Sequence, residues 1–412
     1  MAARTRLPIE LLSRINAYTA DWVGLENLCQ VFPQVEKLFA GEPNSKADPE
    51  AIRLVESILN LNPIMSHELH RYFRMTMKLR QPTLVDKSAA IFMARDYSLS
   101  SMTVSSSITR AMLQETVMIA ANIQRLACVC LIILLTRVRE VKPRRWELVQ
   151  MPGEDYSRVT GTVPYEPRDA GSPSWIEEYR VYHALWHLQL HSDLLITAKR
   201  LKWPQSDPEN LWSNDIDWNQ KPPRSADEIR AISECLQDLL RVDTDHTQKP
   251  SVEAKNSDVA LITKLPSATQ LSCKFDIWSP PPPPIILDYH APDIPNDVWG
   301  QGTNMTQRNP MAGLWRMYQL RTIKYPITLQ ECSLRDSRPW RAVGMPIWDL
   351  WRLYELGLWE ARWPWRPEPG PILTPDGVEI PGGGNPPIHG DDLAYRFSVF
   401  LKSRIQKEVQ EE

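Results

Sequence analysis

Apolar periodicity running from Leu113 to Val138 constrains this fold more than any other feature of the sequence. Its strongest run, Leu126 to Leu135, is too short for a bilayer, which needs roughly 20 apolar residues. Extending that run towards the N-terminus meets Arg125, Gln124 and Asn122. The pattern therefore predicts a buried core helix rather than a membrane span. Cys128 and Cys130 lie inside it, where buried thiols are common. Pro143 ends it. With 412 residues and 42% hydrophobic content, the chain has enough apolar material for two or three packed units.

Around this helix the spacing predicts others. Pro8 suits the first turn of a helix whose Leu11, Leu12 and Ile15 share a face. Asp21 is placed to cap a second helix carrying Leu25, Leu28 and Val31. Pro33 stops that helix near Phe32 and opens a third, presenting Val35 and Leu38. Three helices this short need a partner, or the rest of the protein, to bury a core. Asp48 to Leu61 has Ile52, Val55, Ile58 and Leu59 at helical spacing. Ser66 reads as a cap before His67-Glu68-Leu69-His70. Residues 150–173 read as a loop. Ser174-Trp175-Ile176-Glu177 forms a capping box for a helix to about Arg200, with Tyr179, Tyr182, Trp186 and Leu190 along one side. A shorter helix is expected at about Ala226 to Leu240.

From Asp243 to Pro310 the order weakens, and Pro280 to Pro284 form a polyproline II run. No basic residue flanks those prolines closely, so a stiff spacer is expected rather than a docking motif. Tryptophans then crowd the sequence: Trp315, Trp340, Trp348, Trp351, Trp359, Trp363 and Trp365. Most read as core, with Trp363 and Trp365 as the candidates for a substrate-binding surface. A Gly/Pro loop at 381–387 precedes a last helix, Asp392 to about Val409.

The resulting fold class is mainly α, with an N-terminal three-helix module followed by an irregular helical body and long Pro-rich loops. The expected divisions are the module at 6–42, a helical domain at 46–242, a Pro-rich linker or surface excursion at 243–310, and a Trp-rich region at 311–412 packing on the helical body.

A net charge of -3, from 47 basic and 50 acidic residues, argues against a nucleic-acid binder. Six cysteines without CxxC spacing indicate a reducing compartment. The N-terminal residues do not read as an apolar leader, so none is expected. Arg4 and Arg6 hint at a transit peptide, but Glu10 and the helical pattern behind it speak against one. An intracellular location, cytoplasmic or nuclear, is expected, with the Asn304-Met305-Thr306 sequon idle.

Candidate chemistry is sparse. His183, His187 and His191 repeat every four residues. At 1.5 Å per residue the outer two are roughly 12 Å apart, so one ion takes at most two. The preferred reading is the polar edge of a packed helix. His67-Glu68-Leu69-His70 is one residue short of the HExxH spacing. Asp215 and Asp217 form a DxD without a strand–glycine–helix unit around it. Gly382-Gly383-Gly384 precedes no helix, so it cradles no phosphate. The basic cluster Arg137, Arg139, Lys142, Arg144 and Arg145, beside Trp146, is read as complementing a helix C-terminus. Hence no catalytic residue, metal site or cofactor is expected.

The N-terminal order Leu7-Pro8-x-Glu10-Leu11, Ile15, then Leu25-x-x-Leu28-x-x-Val31-Phe32-x-x-Val35-x-x-Leu38 resembles an F-box. Thr19 and Val35 stand where that pattern usually has leucine and tryptophan. Two further stretches resemble a large filamentous-fungal (ascomycete) family of F-box-containing proteins of unknown substrate. One is Glu178 to Leu190, similar to R-I-x-R-A-L-Y-R-F. The other is Arg341-Ala-Val-Gly344-Met-Pro-Ile-Trp348-Asp349-Leu-Trp-Arg352-Leu353, similar to W-G-Y-x-F/M-W-D-x-x-R-L.

The resemblance implies a non-catalytic adaptor, the substrate-recruiting subunit of an SCF-type cullin–RING ubiquitin ligase. Leu7, Pro8, Ile9, Leu11, Leu12, Ile15, Leu25, Leu28, Val31, Val35 and Leu38 would then dock on the adaptor subunit and through it on the cullin. The remaining residues would present an unknown protein substrate, with no nucleic acid or membrane as partner. Two alternatives stand beside this reading: an interaction protein whose F-box-like helices pack on its own body, and a metal-dependent enzyme using His183 and His187, or Asp215 and Asp217.

Overall fold

A computed structural model describes residues 8–96, 103–105, 107–141, 144–150, 157–164, 166–167, 169–204, 226–244, 261–271, 275–282, 341–348, 352 and 356, with the strands 372–373 and 379–380. The protein is predominantly α-helical. Residues 1–133 with 173–284 form one unit, and 134–172 with 285–412 a second.

In the first unit the sequence punctuation sets the helix ends. Helix α1 spans Ile9–Thr19 and starts directly after Pro8. Helix α2 spans Trp22–Val31, and the Asp21 carboxylate accepts from the Val23 and Gly24 amides at 2.9 and 3.2 Å. Helix α3, Pro33–Phe39, has Pro33 in its first turn. Helix α4, Pro49–Leu61, is capped by Asp48 and buries Leu54, Val55, Ile58 and Leu59. A π-turn, Met65–Leu69, leads into helix α5, His70–Leu79. Asn62 caps this turn in place of the expected Ser66: its Oδ1 accepts from the Ile64 and Met65 amides, both at 3.0 Å. The amide reaches where the serine cannot, because the Ser66 hydroxyl turns back to the Pro63 carbonyl.

Helix α6 is Ala89–Asp96. Helix α7, Arg110–Glu140, contains the Leu113–Val138 run. Its length and apolar composition would suffice to cross a membrane. Its Ala120, Ala121, Ile123, Leu126, Ala127 and Leu131 are buried in protein, as a core helix requires. Helix α8, Trp175–Leu201, carries the capping box, with the Glu177 carboxylate accepting the Ser174 amide at 2.8 Å. It packs against α5 and against helix α9, Ala226–Thr244. Thr197 and Arg200 donate to the Leu79 carbonyl at 3.0 and 2.7 Å, satisfying an acceptor left over at the end of α5.

The stretch expected as a linker or excursion is partly packed. Ile262, Leu265, Ala268, Leu271 and Pro280 are buried, with a 3-10 turn at Ala268–Gln270. Asn122 holds this turn, accepting from the Ala268 amide and donating to the Pro266 carbonyl.

In the second unit the expected loop at 150–173 contains a strand. Strand β1, Arg144–Gln150, pairs antiparallel with β2, Ser157–Pro164, from Arg144 opposite Pro164 to Gln150 opposite Ser157. Arg144, Arg145 and Trp146 therefore lie on a strand rather than continuing the helix C-terminus. Val149, Val159, Thr160, Thr162 and Val163 favour the pleated conformation over a loop. The register shifts between Glu147 and Leu148, with Gly161 opposite Glu147. Strands β3, Ile372–Leu373, and β4, Glu379–Ile380, form a second short pair.

Trp348 is buried and donates its indole N–H to the Val343 carbonyl at 2.8 Å. Arg352 lies over its ring at 5.4 Å and donates to the carbonyls of Gly171 and Ser172 at 3.0 and 2.7 Å. Trp348 and Arg352 thus have a packing role. Leu7, Asp215, Asp217, Asn304, Trp315, Trp340, Trp351, Trp359, Trp363, Trp365, the loop 381–387 and the expected helix Asp392–Val409 lie outside the described residues.

Candidate docking face

Helix α1 has two differently occupied faces. Leu12 and Asn16 point inward and are fully buried, and Asn16 Nδ2 donates to the Leu54 carbonyl of α4 at 2.9 Å. About 100° round the helix per residue, Leu11, Ile15 and Tyr18 form an outward stripe at i, i+4 and i+7, exposed by 44%, 41% and 92%. On α2, Val31 is 63% exposed. Leu28 and Leu38 are half-buried, and Pro8 is exposed. Exposed apolar side chains at helical spacing are what a partner helix or groove reads.

The other expected docking residues face the interior. Leu25 and Val35 are fully buried, as is Leu12. They join Trp22, which stacks on Phe73 of α5 with ring centroids 5.0 Å apart. Phe73 in turn meets Trp186 of α8 edge-on at 6.0 Å. Of Ile9 the structure describes the backbone only. The docking set inferred from sequence therefore divides: Pro8, Leu11, Ile15 and Val31 are accessible, Leu28 and Leu38 partly so, and Leu12, Leu25 and Val35 are not.

Polar groups fix how the three helices sit on the body. Gln124 of α7 is buried; its Oε1 accepts from the Trp22 and Val23 amides at 3.0 and 3.2 Å. Two N-terminal donors of α2 are thereby satisfied from another helix. Asn62 Nδ2 donates to the Ala20 carbonyl at 2.7 Å, and Arg125 pairs with Glu26. Arg110 donates to the carbonyls of Lys37 and Ala40, securing the end of α3. These ties are not legible in the sequence, because an interior amide such as Gln124 carries no local pattern that names its partner.

The segment Phe275–Pro282 runs across this same place. Trp278 donates its indole N–H to Glu178 Oε1 at 2.8 Å, and its carbonyl accepts from Gln124 Nε2 at 3.2 Å. The Cys128 thiol approaches that carbonyl at 3.8 Å, and burial pushes the thiol up to about 12. Burial likewise raises the Glu178 carboxyl to about 7, against the lowering effect of the Trp278 hydrogen bond and with a further rise from Glu177. Glu178 Oε2 and the Tyr182 hydroxyl are both buried without a hydrogen-bond partner. Ser279 donates to Asp21 Oδ2 at 3.3 Å.

The histidine repeat belongs to a ladder of rings. Trp175, Tyr179, His183 and His187 follow one another along α8 at centroid separations of 5.1, 6.1 and 6.0 Å. His67 meets Trp175 edge-on, and Tyr72 meets His183, with its hydroxyl 3.1 Å from His183 Nε2. Desolvation lowers His183 and His191 to about 4 and His187 to about 3, so all three are neutral near pH 7. Among the described residues no three His, Cys, Asp or Glu side chains converge to hold a metal ion.

No protein-family model, curated protein or solved structure matches this chain.

Proposed function

We propose that this chain is a substrate-recruiting, F-box-type subunit of an SCF-type cullin–RING ubiquitin ligase. The observation that carries the reading is the outward stripe Leu11, Ile15 and Tyr18 on a helix whose neighbouring face is fully committed to the body. Exposed apolar groups held on a fixed helix reduce the ordering cost of association, which favours docking. Pro8, Val31, Leu28 and Leu38 would extend the contact towards the roughly 1,600 Å² of a standard interface. The helical body would present the substrate, and no chemistry is assigned to it.

A second reading is favoured by a separate observation. Leu12, Leu25, Val35 and Trp22 are buried within the chain. Helices α1–α3 would then be a degenerate module serving only the fold of an interaction protein. Deleting residues 1–45 does not separate the two readings, since under either one the body loses Trp22 and its stacking on Phe73.

Co-expression with the cognate adaptor does separate them. The adaptor reading expects wild type to co-purify with adaptor and cullin, and Leu11→Asp with Ile15→Asp to lose them. Failure of wild type to co-purify, or equal capture by the double variant, supports the second reading.

A further inference from the structure

We propose that Ser279 is a phosphorylation site of the proline-directed kind, and that its modification lifts the strap Phe275–Pro282 off the groove formed by α2, α7 and α8. The inference rests on this groove alone and holds whichever reading of the N-terminal helices is right.

Ser279 precedes Pro280, and its side chain is exposed on a non-helical segment. A hydroxyl followed by proline on extended chain is the form that a proline-directed kinase recognises, because its substrate groove accepts an extended peptide with the ring after the acceptor. In the transfer, the Ser279 oxygen attacks the terminal phosphorus of a nucleoside triphosphate. An O–P bond forms, the bond to the departing diphosphate breaks, and the hydroxyl proton passes to a base of the kinase. Pro280 is buried, so the kinase acts on the transiently lifted strap and the phosphate then holds it open.

The surroundings decide the direction of the effect. Ser279 now donates its proton to Asp21 Oδ2. Phosphoserine carries about -1.5 to -2 charges at pH 7, mostly as the dianion, which has no proton to give. The contact becomes repulsion between anions. Asp21 is held in place, because its Oδ1 caps Val23 and Gly24. A helix N-terminus ordinarily welcomes phosphate through free amides. Here the Trp22, Val23 and Gly24 amides are already taken by Gln124 and Asp21. The buried Glu178 carboxyl beneath Trp278 adds a second acid to the same groove. Lifting the strap removes Trp278 from Glu178, Gln124 and Cys128 together.

The test treats the full chain with a proline-directed kinase and ATP, maps phosphate by mass spectrometry, and follows amide hydrogen exchange. Phosphate on Ser279 is expected, with exchange across 275–279 accelerated about tenfold or more, as local opening would give. Ser279→Ala is expected to show the same exchange before and after kinase treatment. Asp21→Asn retains the cap and removes the opposing charge, so its phosphorylated form is expected to exchange more slowly than phosphorylated wild type. Absence of phosphate at Ser279 overturns the site. Phosphate without faster exchange overturns the release, and equal acceleration in the Asp21→Asn protein overturns its electrostatic cause.

Discussion

Gly344 has φ +74, a conformation that L side chains rarely adopt, and a Cβ there would meet Trp348 Nε1 at 2.9 Å and Leu134 Cβ at 3.1 Å. Gly344→Ala is expected to destabilise the protein by about 2 kcal/mol or more, combining backbone strain with overpacking; chemical denaturation reads this directly. Glu178 gives a pH-dependent prediction. Its folded-state value of about 7 lies above the ordinary 4.5, so the folded chain binds more protons than the unfolded chain between those values. Its contribution is greatest below pH 4.5 and is lost as the pH rises through 7. Glu178→Gln keeps an acceptor for Trp278 and removes the ionisation. Relative to wild type, the variant should gain on the order of 2 kcal/mol between pH 5 and pH 8; parallel melts at the two pH values check it. Neither position was marked by the sequence as a pressure point. Gly344 sits in a family-like segment of unassigned chemistry, and Glu178 reads locally as an acidic residue in a helix's first turn. What matters at each is a neighbour distant in the chain.

At the scale of elements, local punctuation was legible and tertiary override was not. Pro8, Asp21 and Pro33 announce α1, α2 and α3 because a missing N–H and a capping carboxylate act within one turn. The 144–164 hairpin escaped notice because its first strand begins with arginines and follows a helix directly, while its alternation covers few residues. Packing of the 261–271 and 275–282 segments was equally hidden: proline content describes the segment's own stiffness, not the amides waiting for it on α7. Gln124 makes the test at this scale. One amide holds the start of α2 and, 154 residues away, the Trp278 carbonyl. Gln124→Leu should cost about 2–4 kcal/mol by leaving buried donors and an acceptor unpaired. Gln124→Glu keeps the acceptor but loses the donor, and should raise exchange at 275–279 more than at α2. At the other end of α8, Lys202 ends the helix with φ 56. Lys202→Gly should stabilise by about 0.5–1 kcal/mol, seen as a higher melting temperature.

For the whole molecule, the N-terminal helices belong to the first unit's core on one side and leave an apolar stripe on the other. The sequence pattern alone marked Leu12, Leu25 and Val35 as docking residues together with Leu11 and Ile15, and passed over Tyr18. Periodicity names the apolar positions, and only the packing of α4, α5 and α7 decides which of them are already used. This division would let one short module serve the fold on one side and the proposed docking on the other. The most direct measurement is the affinity of purified adaptor for wild type and for the Leu11→Asp, Ile15→Asp protein, taken with melting curves of both. Both side chains are more than 40% exposed. Unchanged melts within about 2 °C are expected, as surface changes give, with affinity weaker by about a hundredfold or more, as loss of central anchors gives. Equal affinity for the two proteins, or none for wild type, would contradict the adaptor reading.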